Sequence, residues 1–530
     1  MRFHTFFQLM AVACGLGLAT TACRSDIKSI AVSTDTEQLQ IYPDYAGCRL
    51  PYNIAPCNFR ILTPSTRYRL AIRQGGGQAG TDGQTLYKQR GKAIVQLPLR
   101  RWQRWLRQAQ GDTLWFALSL KQDGAWRDYE PFPLYIDSSA IAPYLTYRLI
   151  EPSYQLCGFL TIEERCLENF RTRNLYDNNM NEMSCVNCHT AAWGDPDYSV
   201  YHVRFIRTGT FIAVDGQLRR VDLKSNRFPQ GGVYPAWHPS KRYIAFGTAS
   251  AFPFVHSKDI TRRTEVYDSL GDLMVYDIYR NRIFSDARLC TEEKEETFPT
   301  FAPDGRTLYF CQSLTPPKDS AEEDPVDYSK KIKYSLVSID FDAETGTFGR
   351  MDTLVDAAES GETVSFPRVS PDGRFLVFCL SDHGTFPIRH PESELYIMDL
   401  TASGNGAYRR ATEADTAQDA RVYRLLAAAN SDKTESYHEF SPTDGRWLMF
   451  SSKRDDGMYS RPYFCLIDDD GRASKPFMLP QKNPDFYLTL LQSYNVPVFS
   501  NGPAPYDAFK TTKAADGEII YPEALEIKGE

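Results

Sequence analysis

Two cysteines and a histidine stand close together in the segment EMSCVNCHTAAW, residues 182–193, as Cys185, Cys188 and His189. This Cys-x-x-Cys-His spacing is the pattern for covalent attachment of a c-type haem, because two thiols add to the porphyrin vinyl groups and the adjacent imidazole binds the iron. A chain with 12 cysteines and 8 histidines in 530 residues should contain about 0.004 such pentads by chance. The sequence therefore predicts one covalent haem c per chain, with His189 as the proximal iron ligand.

Structural zinc, a redox dithiol, a simple disulfide and a degenerate site are the alternative interpretations of the same residues. Structural zinc needs two further ligands, and the sequence has no second Cys-x-x-Cys and no His-x3–5-His pair. A thioredoxin-type dithiol belongs to a βαβ pattern, which this sequence does not show. A disulfide would leave His189 without a role, so the pattern favours haem.

The sixth iron ligand is less clearly indicated. His202 in YSVYHVRF and Met180 just before the pentad are the candidate distal ligands, whereas Met183 is so near Cys185 that packing is the better interpretation. A second histidine would give a low-potential, six-coordinate iron, and methionine would raise the potential. The alternative for His202 is an ordinary histidine of a strand.

The first residues have the three-part shape of an export signal. Met1-Arg2 is followed by the apolar run TFFQLMAVACGLGLA and by TTAC, which ends at Cys23. The cleavage site resembles the bacterial lipoprotein box, with Thr20 where that pattern prefers leucine. The resemblance implies a signal peptide at 1–22, lipidation of Cys23, and an exported cell-envelope lipoprotein of the periplasm or outer membrane that contacts the membrane through its lipid.

Export affects how the remaining cysteines are interpreted. Disulfides persist in oxidising compartments, so Cys48 with Cys57 and Cys157 with Cys166 are possible local pairs. Sequence alone does not fix their connectivity.

Four segments of the chain are internal repeats. Each has an aromatic residue, a polar turn that usually contains Pro-Asp-Gly, and an alternating strand that ends in Phe, so each predicts a β-hairpin. A second hairpin follows each one, and tandem four-stranded sheets are typical of a β-propeller. The repeats are YPAWHPSKRYIAFGTAS from Tyr234, FPTFAPDGRTLYFCQS from Phe298, FPRVSPDGRFLVFCLS from Phe366 and YHEFSPTDGRWLMFSSKR from Tyr437.

The repeats resemble those of TolB-like (WD-repeat-like) propellers over residues 203 to 485. The first repeat departs from the motif, with Ser240-Lys241 where the others have Asp-Gly. The resemblance implies a mainly β protein with five or six blades, closed by strands from both ends of the segment.

The remaining chain completes the predicted organisation. A linker at 23–45 precedes a β-sandwich-like domain at 46–137, in which RRWQRWLRQAQ predicts a short helix and KQDGAW a hairpin. A short helical connector with the haem pentad follows at 138–200, and the propeller with its closing C-terminal segment occupies 201–530. The acidic run EEKEE at 292–296 is predicted to be an exposed loop.

These features together predict an exported, lipid-anchored monohaem cytochrome c on a propeller, acting in electron transfer or haem-dependent sensing. A redox or envelope protein would dock on the propeller face, and the net charge of −7 argues against nucleic acid. One alternative is a non-redox scaffold that binds envelope proteins or glycans. Another is a haem-dependent oxidoreductase with an open iron site, so the sequence leaves enzymatic activity undecided.

Overall fold

The computed structural model of the chain is mainly β. It describes residues 38–76, 82–152, 158–254, 265–315, 324–404, 406–413, 415, 421–443 and 445–529. The predicted signal peptide and the lipidation site at Cys23 lie outside these residues. Among the residues described, no helix is both long and apolar enough to cross a membrane.

The N-terminal domain contains two sheets and one helix. The three-stranded sheet is formed by Ile41–Tyr42, Phe59–Ile61 and Ile94–Val95. The six-stranded sheet is formed by Arg49–Pro51, Phe132–Asp137, Thr113–Gln122, Arg67–Gln74 and Gln84–Gly91, with Ala125–Asp128 paired to Thr113–Gln122. Because Ile41–Tyr42 belongs to this domain, the domain begins before residue 46, within the predicted linker.

Both local predictions for this domain are confirmed. The helix is Leu99–Gln108, which buries Trp102, Trp105 and Leu106 on one face at helical spacing. The Asp-Gly pair of KQDGAW forms a two-residue turn between Thr113–Gln122 and Ala125–Asp128, with φ of 45° at Asp123 and 83° at Gly124. Two positive φ values are what a type I′ hairpin turn requires.

Six further sheets, here called blades 1 to 6, follow the N-terminal domain. Their innermost strands contact one another in a closed cycle, which is the arrangement of a β-propeller. Listed from the innermost strand outward, blade 1 has Ser493–Ser500, Tyr144–Ile150, Thr161–Cys166 and Thr172–Asp177; blade 2 has Cys185–Ala192, Asp195–Arg204, Gly209–Val214, Gln217–Val221 and Ile519–Ile520; and blade 3 has Val233–Trp237, Tyr243–Phe254, Glu265–Asp277, Arg282–Asp286 and Ala524–Lys528. Blade 4 has Lys294–Phe301, Thr307–Leu314, Ser335–Asp342 and Thr347–Val355; blade 5 has Thr363–Val369, Phe375–Ser381, Glu394–Asp399, Val422–Leu425 and Arg409–Arg410; and blade 6 has Glu435–Phe440, Trp447–Ser452, Arg461–Leu466 and Phe477–Met478.

The remaining described helices are short. The α-helices are Pro325–Ser329, Ala357–Ser360, Phe486–Thr489 and Ala508–Ala515, and the 3-10 turns are Asn178–Asn181, Ala287–Leu289 and Pro387–Arg389.

The predicted helical connector at 138–200 is wrong. That segment supplies three strands of blade 1 and the innermost strand of blade 2, so the propeller begins at Tyr144 and not at residue 201. The helix prediction rested on the polar run IEERCLENFRTRNLYDNNM, residues 162–180, whose strand Thr161–Cys166 is held extended by distant partners. Arg165 donates to the carbonyl of Pro480 at 2.9 Å, and the amide of Ala504 donates to Glu164 at 2.6 Å. These contacts cannot be inferred from local sequence.

The prediction for the acidic run 292–296 is also wrong at its C-terminal end. Glu295 and Glu296 are buried in the innermost strand of blade 4, which begins at Lys294. One carboxylate oxygen of Glu296 accepts a hydrogen bond from Gln312 at 2.9 Å, and the other has no hydrogen-bond partner. Burial raises the pKa of Glu296 to about 8.

Replacing Glu296 with glutamine should stabilise the protein at alkaline pH. A carboxyl whose folded-state pKa is raised destabilises the fold progressively as pH rises from its unfolded value, near 4.5, through about 8. Glutamine cannot ionise, so the gain in unfolding free energy should be a few kcal/mol (on the order of 3) at pH 8.5 and shrink near pH 5. Thermal melts at both pH values measure this difference. Glu293→Gln, at an exposed position, is the control, and a gain for Glu296→Gln that does not depend on pH would contradict the prediction.

Candidate functional site

Each blade has the same irregularity on its innermost strand. The strand register shifts there by a β-bulge, and one residue other than glycine has a φ between 45° and 58°. Proline follows this residue in four blades, and histidine follows it in blades 2 and 6. The six pairs are Val496-Pro497, Cys188-His189, Tyr234-Pro235, Phe298-Pro299, Phe366-Pro367 and Tyr437-His438. The Cys-His of the pentad therefore occupies the position that an aromatic–proline pair has in other blades.

The bulge allows both cysteines of the pentad to contact one space. In a regular strand, side chains three residues apart point to opposite faces, so Cys185 and Cys188 would be separated. The register shift lies between Asn187 and Thr190, and Cys188 has a φ of 58°. As a result Cys185, Cys188 and His189 all line the same cavity.

This cavity lies at the centre of the propeller and contains about 1840 Å³ of empty space, counted out to its opening. The bulge residues of blades 3 to 6 form an aromatic wall along it. Tyr234, Phe298, Phe366 and Tyr437 contact in series, with successive ring centroids 4.7, 3.9 and 5.0 Å apart. A flat, largely apolar ligand would find packing surface there.

His189 is buried, with 6% of its surface exposed, and neither ring nitrogen has a well-aligned hydrogen bond. Burial lowers the pKa of His189 to about 4, and the nearby backbone of Thr146 opposes this shift only in part. The imidazole is therefore neutral at pH 7. A neutral buried imidazole that makes no well-aligned hydrogen bond is suited to bind a metal.

The two thiols of the pentad are free. Cys185 is partly exposed, whereas Cys188 is buried and burial raises the pKa of its thiol, although the guanidinium of Arg204 opposes the shift. The pair is not joined as a disulfide in the structure, so both sulfurs are available for other chemistry.

Positive groups outnumber negative ones around the cavity. Two glutamates line it, and Glu439, which faces Arg368, has its pKa raised to about 7 by burial. Burial also lowers the pKa of Lys453 to about 8. The cations that line the cavity are Arg148, Arg204, Arg368, Arg389 and Lys453. The cavity therefore favours a ligand that carries negative charge.

A tyrosine–aspartate pair lies beside the pentad, and sequence reasoning did not find it. Tyr234 donates its hydroxyl to Asp268 at 2.7 Å; Asp268 is buried and Tyr234 is partly buried. Burial raises the pKa of Asp268 to about 6, and burial raises that of the Tyr234 hydroxyl well above its usual value. The pair can hold a proton at the cavity wall. Alignment of Tyr234 with Cys188 at the bulge is the only sequence signal for it.

The predicted distal ligands do not reach the cavity. His202 lies on the second strand of blade 2, where its Nδ1 is 3.1 Å from the hydroxyl of Thr210. Burial lowers its pKa to about 3, so it is a neutral strand histidine. Met180 and Met183 are each 41% exposed. None of the three is among the residues that line the cavity, and the structure does not bring them to the pentad.

Two residues absent from those predictions do line the cavity. The ring of His438 is held by a 2.9 Å hydrogen bond from Nε2 to the carbonyl of Val377. Met458, at the mouth, is 53% exposed. Another histidine, His238, has both ring nitrogens in hydrogen bonds, at 2.7 Å to Ser240 and 2.9 Å to Gly305.

The predicted disulfides are not formed among the described residues. Cys48 and Cys57 are both free, buried thiols, and the Cys48 sulfur lies 3.6 Å from the carbonyl of Pro476 as a hydrogen-bond donor. Cys166 is also free and accepts from the side chain of Asn169 at 3.0 Å. Cys157 lies outside the described residues.

Comparisons with known proteins identify no family for this chain. No family model and no curated protein matches it. Among solved structures, it is similar to a putative TolB from Agrobacterium tumefaciens (14% identity, 49% of this chain and 86% of that one, TM-score 0.22). It is also similar to hydrazine synthase from Kuenenia stuttgartiensis (11% identity, 66% and 91%, TM-score 0.30). A third is a puromycin-hydrolysing peptidase from Mycobacterium tuberculosis (14% identity, 56% of this chain, TM-score 0.30), of which this chain spans only 38%. At these TM-scores the class of the protein, a β-propeller with an N-terminal β domain, rests on its own sheet topology.

Proposed function

We propose that this protein is an exported haem c protein whose haem lies in the central cavity of a six-bladed propeller. Cys185 and Cys188 would form the thioethers, and His189 would be the proximal ligand. The observation that carries the proposal is that a buried, neutral imidazole without a well-aligned hydrogen bond shares a cavity with both thiols. The aromatic wall suits a macrocycle, and the surplus of cations suits its propionates.

The bound haem would supply electron transfer and binding of small ligands at iron. The chain's own residues would orient it, limit access of water and hold a proton at Tyr234 and Asp268. Electron transfer or sensing at the cell envelope, with lipid on Cys23 as the membrane tether and a partner protein on the propeller face, is the function we assign. The non-redox scaffold is its competitor.

Covalent haem is the decisive test. The full chain is expressed with a cytochrome c maturation system, separated on a denaturing gel, stained for haem and titrated as the pyridine haemochrome. We expect haem that survives denaturation, in a ratio of one per chain. A correctly exported protein without covalent haem would refute the proposal and leave the scaffold function.

One observation favours an open iron site and so supports the oxidoreductase alternative within this class. His202, Met180 and Met183 do not line the cavity. The reduced protein should therefore form a CO adduct readily, and His202→Ala should leave the spectrum of the iron unchanged. Met458→Ala tests the one methionine at the mouth. If the wild type does not bind CO but one of these variants does, the residue replaced in that variant is the sixth ligand.

A further inference from the structure

Three side chains with metal-binding atoms converge beside the cavity, apart from the pentad. Glu265 begins the third strand of blade 3, while His383 and His390 belong to the connection between two strands of blade 5. One ligand atom from each lies within 4.8 Å of the other two. In the part of the chain that the structure describes, this is the one group of at least three such residues.

The ring of His390 is oriented as in a metal site. Its Nδ1 lies 3.0 Å from the carboxylate of Glu392, and its Nε2 lies on the side of Glu265. Metal-binding histidines usually donate their second ring N–H to a carboxylate in this way. His390 is 1% exposed, and its Nε2 has no well-aligned hydrogen bond.

The spacing of two ligand atoms also suits a metal. Nε2 of His390 lies 3.4 Å from a carboxylate oxygen of Glu265. Two ligands at about 2.05 Å from a tetrahedral Zn²⁺ are separated by about 3.3 Å. The ring of His383 lies perpendicular to that of His390, with the centroids 4.7 Å apart.

Gly384 keeps space open at these atoms. A Cβ at this position would lie 3.2 Å from Nε2 of His390 and 3.6 Å from Oε1 of Glu265, and the φ of 83° also favours glycine. Any larger residue would crowd the ligand atoms of His390 and Glu265.

The competing explanation is a purely ionic cluster. In that arrangement the His390 ring would bridge the carboxylates of Glu265 and Glu392. It gives no role to His383, although the His383 ring lies against that of His390. A metal ion bound by all three side chains accounts for both histidines.

We propose that Glu265, His383 and His390 bind one divalent transition-metal ion, with Zn²⁺ as the ion that two imidazoles and a carboxylate favour. Three protein ligands leave a fourth position for water or a small ligand, as in catalytic zinc sites. The chain neighbours Val266 and Arg389 line the central cavity, so this site lies close to it. The inference is independent of haem.

The test is zinc binding by the full chain without an affinity tag. Chelator-treated protein is titrated with Zn²⁺ against a chromophoric zinc chelator, and bound zinc is counted by mass spectrometry after desalting. We expect one zinc per chain. His383→Gln and Glu265→Gln should weaken binding at least 100-fold, and Glu392→Gln should weaken it 10- to 100-fold.

His238→Gln is the matched control, because it changes a buried histidine of the same propeller without touching the cluster. It should bind zinc like the wild type. Circular dichroism melts establish that each variant is folded. His383 is half-buried, so we expect His383→Gln to disturb folding less than the other ligand variants. The Cys185→Ala/Cys188→Ala chain should bind zinc normally, which separates this result from the haem test. Absence of stoichiometric zinc in the wild type, or unchanged binding by folded His383→Gln, would overturn the inference.

Discussion

Replacing Cys185 and Cys188 together with alanine should remove haem staining from a denaturing gel completely, while the propeller remains folded. Both sulfurs line the cavity, and no other cysteine in the described residues does. A variant with one cysteine replaced could still hold part of the haem through the remaining thioether. The double variant should therefore lose more haem than either single variant. Alanine is only slightly smaller than cysteine, so replacing one partly exposed and one buried thiol should lower the free energy of unfolding by about 1–2 kcal/mol.

Cys311→Ala is the control for this experiment. Cys311 is fully buried on the second strand of blade 4 and does not line the cavity. It should reduce stability slightly and leave one covalent haem per chain. Covalent haem that persists in the double variant would show that the pentad is not the attachment site.

Ending the chain before Ser493 should abolish cooperative folding of the propeller. Ser493–Ser500 is the innermost strand of blade 1 and pairs with Tyr144–Ile150, which comes from the other end of the propeller. It buries Tyr494 against Tyr147, with ring centroids 4.4 Å apart, and contacts the innermost strands of blades 2 and 6. Losing this strand opens the ring and exposes two blade faces, a cost comparable with the roughly 5–15 kcal/mol that stabilises a whole domain.

A shorter truncation isolates this effect. Ending the chain at Gly517 removes only Ile519–Ile520 and Ala524–Lys528, which add parallel strands to the outer edges of blades 2 and 3. That variant should unfold cooperatively, with Tm lowered by a few degrees. Chemical denaturation followed by tryptophan fluorescence and far-UV circular dichroism distinguishes the two results. A cooperative transition in the longer truncation would contradict the role given to the closing strand.

The repeats predicted the blades that have local signals. Pro371, Asp372 and Gly373 form the turn of blade 5, where the Asp372 carboxylate accepts from the amide of Arg374 at 3.1 Å and Gly373 has a φ of 74°. These residues act within a few positions of one another, so the sequence alone indicates the hairpin.

The sequence predicted blades 1 and 2 only in part, as strands from both ends that close the propeller, because their signals are not local. Blade 1 joins Tyr144 to Ser500, so no window of sequence contains it. Blade 2 has Cys188-His189 where three of the four repeats have an aromatic residue followed by proline, so the pair proposed to bind haem also hides the repeat. The pentad was therefore recognised, but its secondary structure and its cavity partners were not.

The ring closure described above has a consequence for the order of protein maturation. Once Ser493–Ser500 closes the ring, Cys188 lies in the wall of the central cavity with 6% of its surface exposed. Under the proposed function, we therefore expect haem to be added before the last-synthesised part of the propeller docks. The chain that ends before Ser493 should then still acquire covalent haem, although it cannot complete its fold.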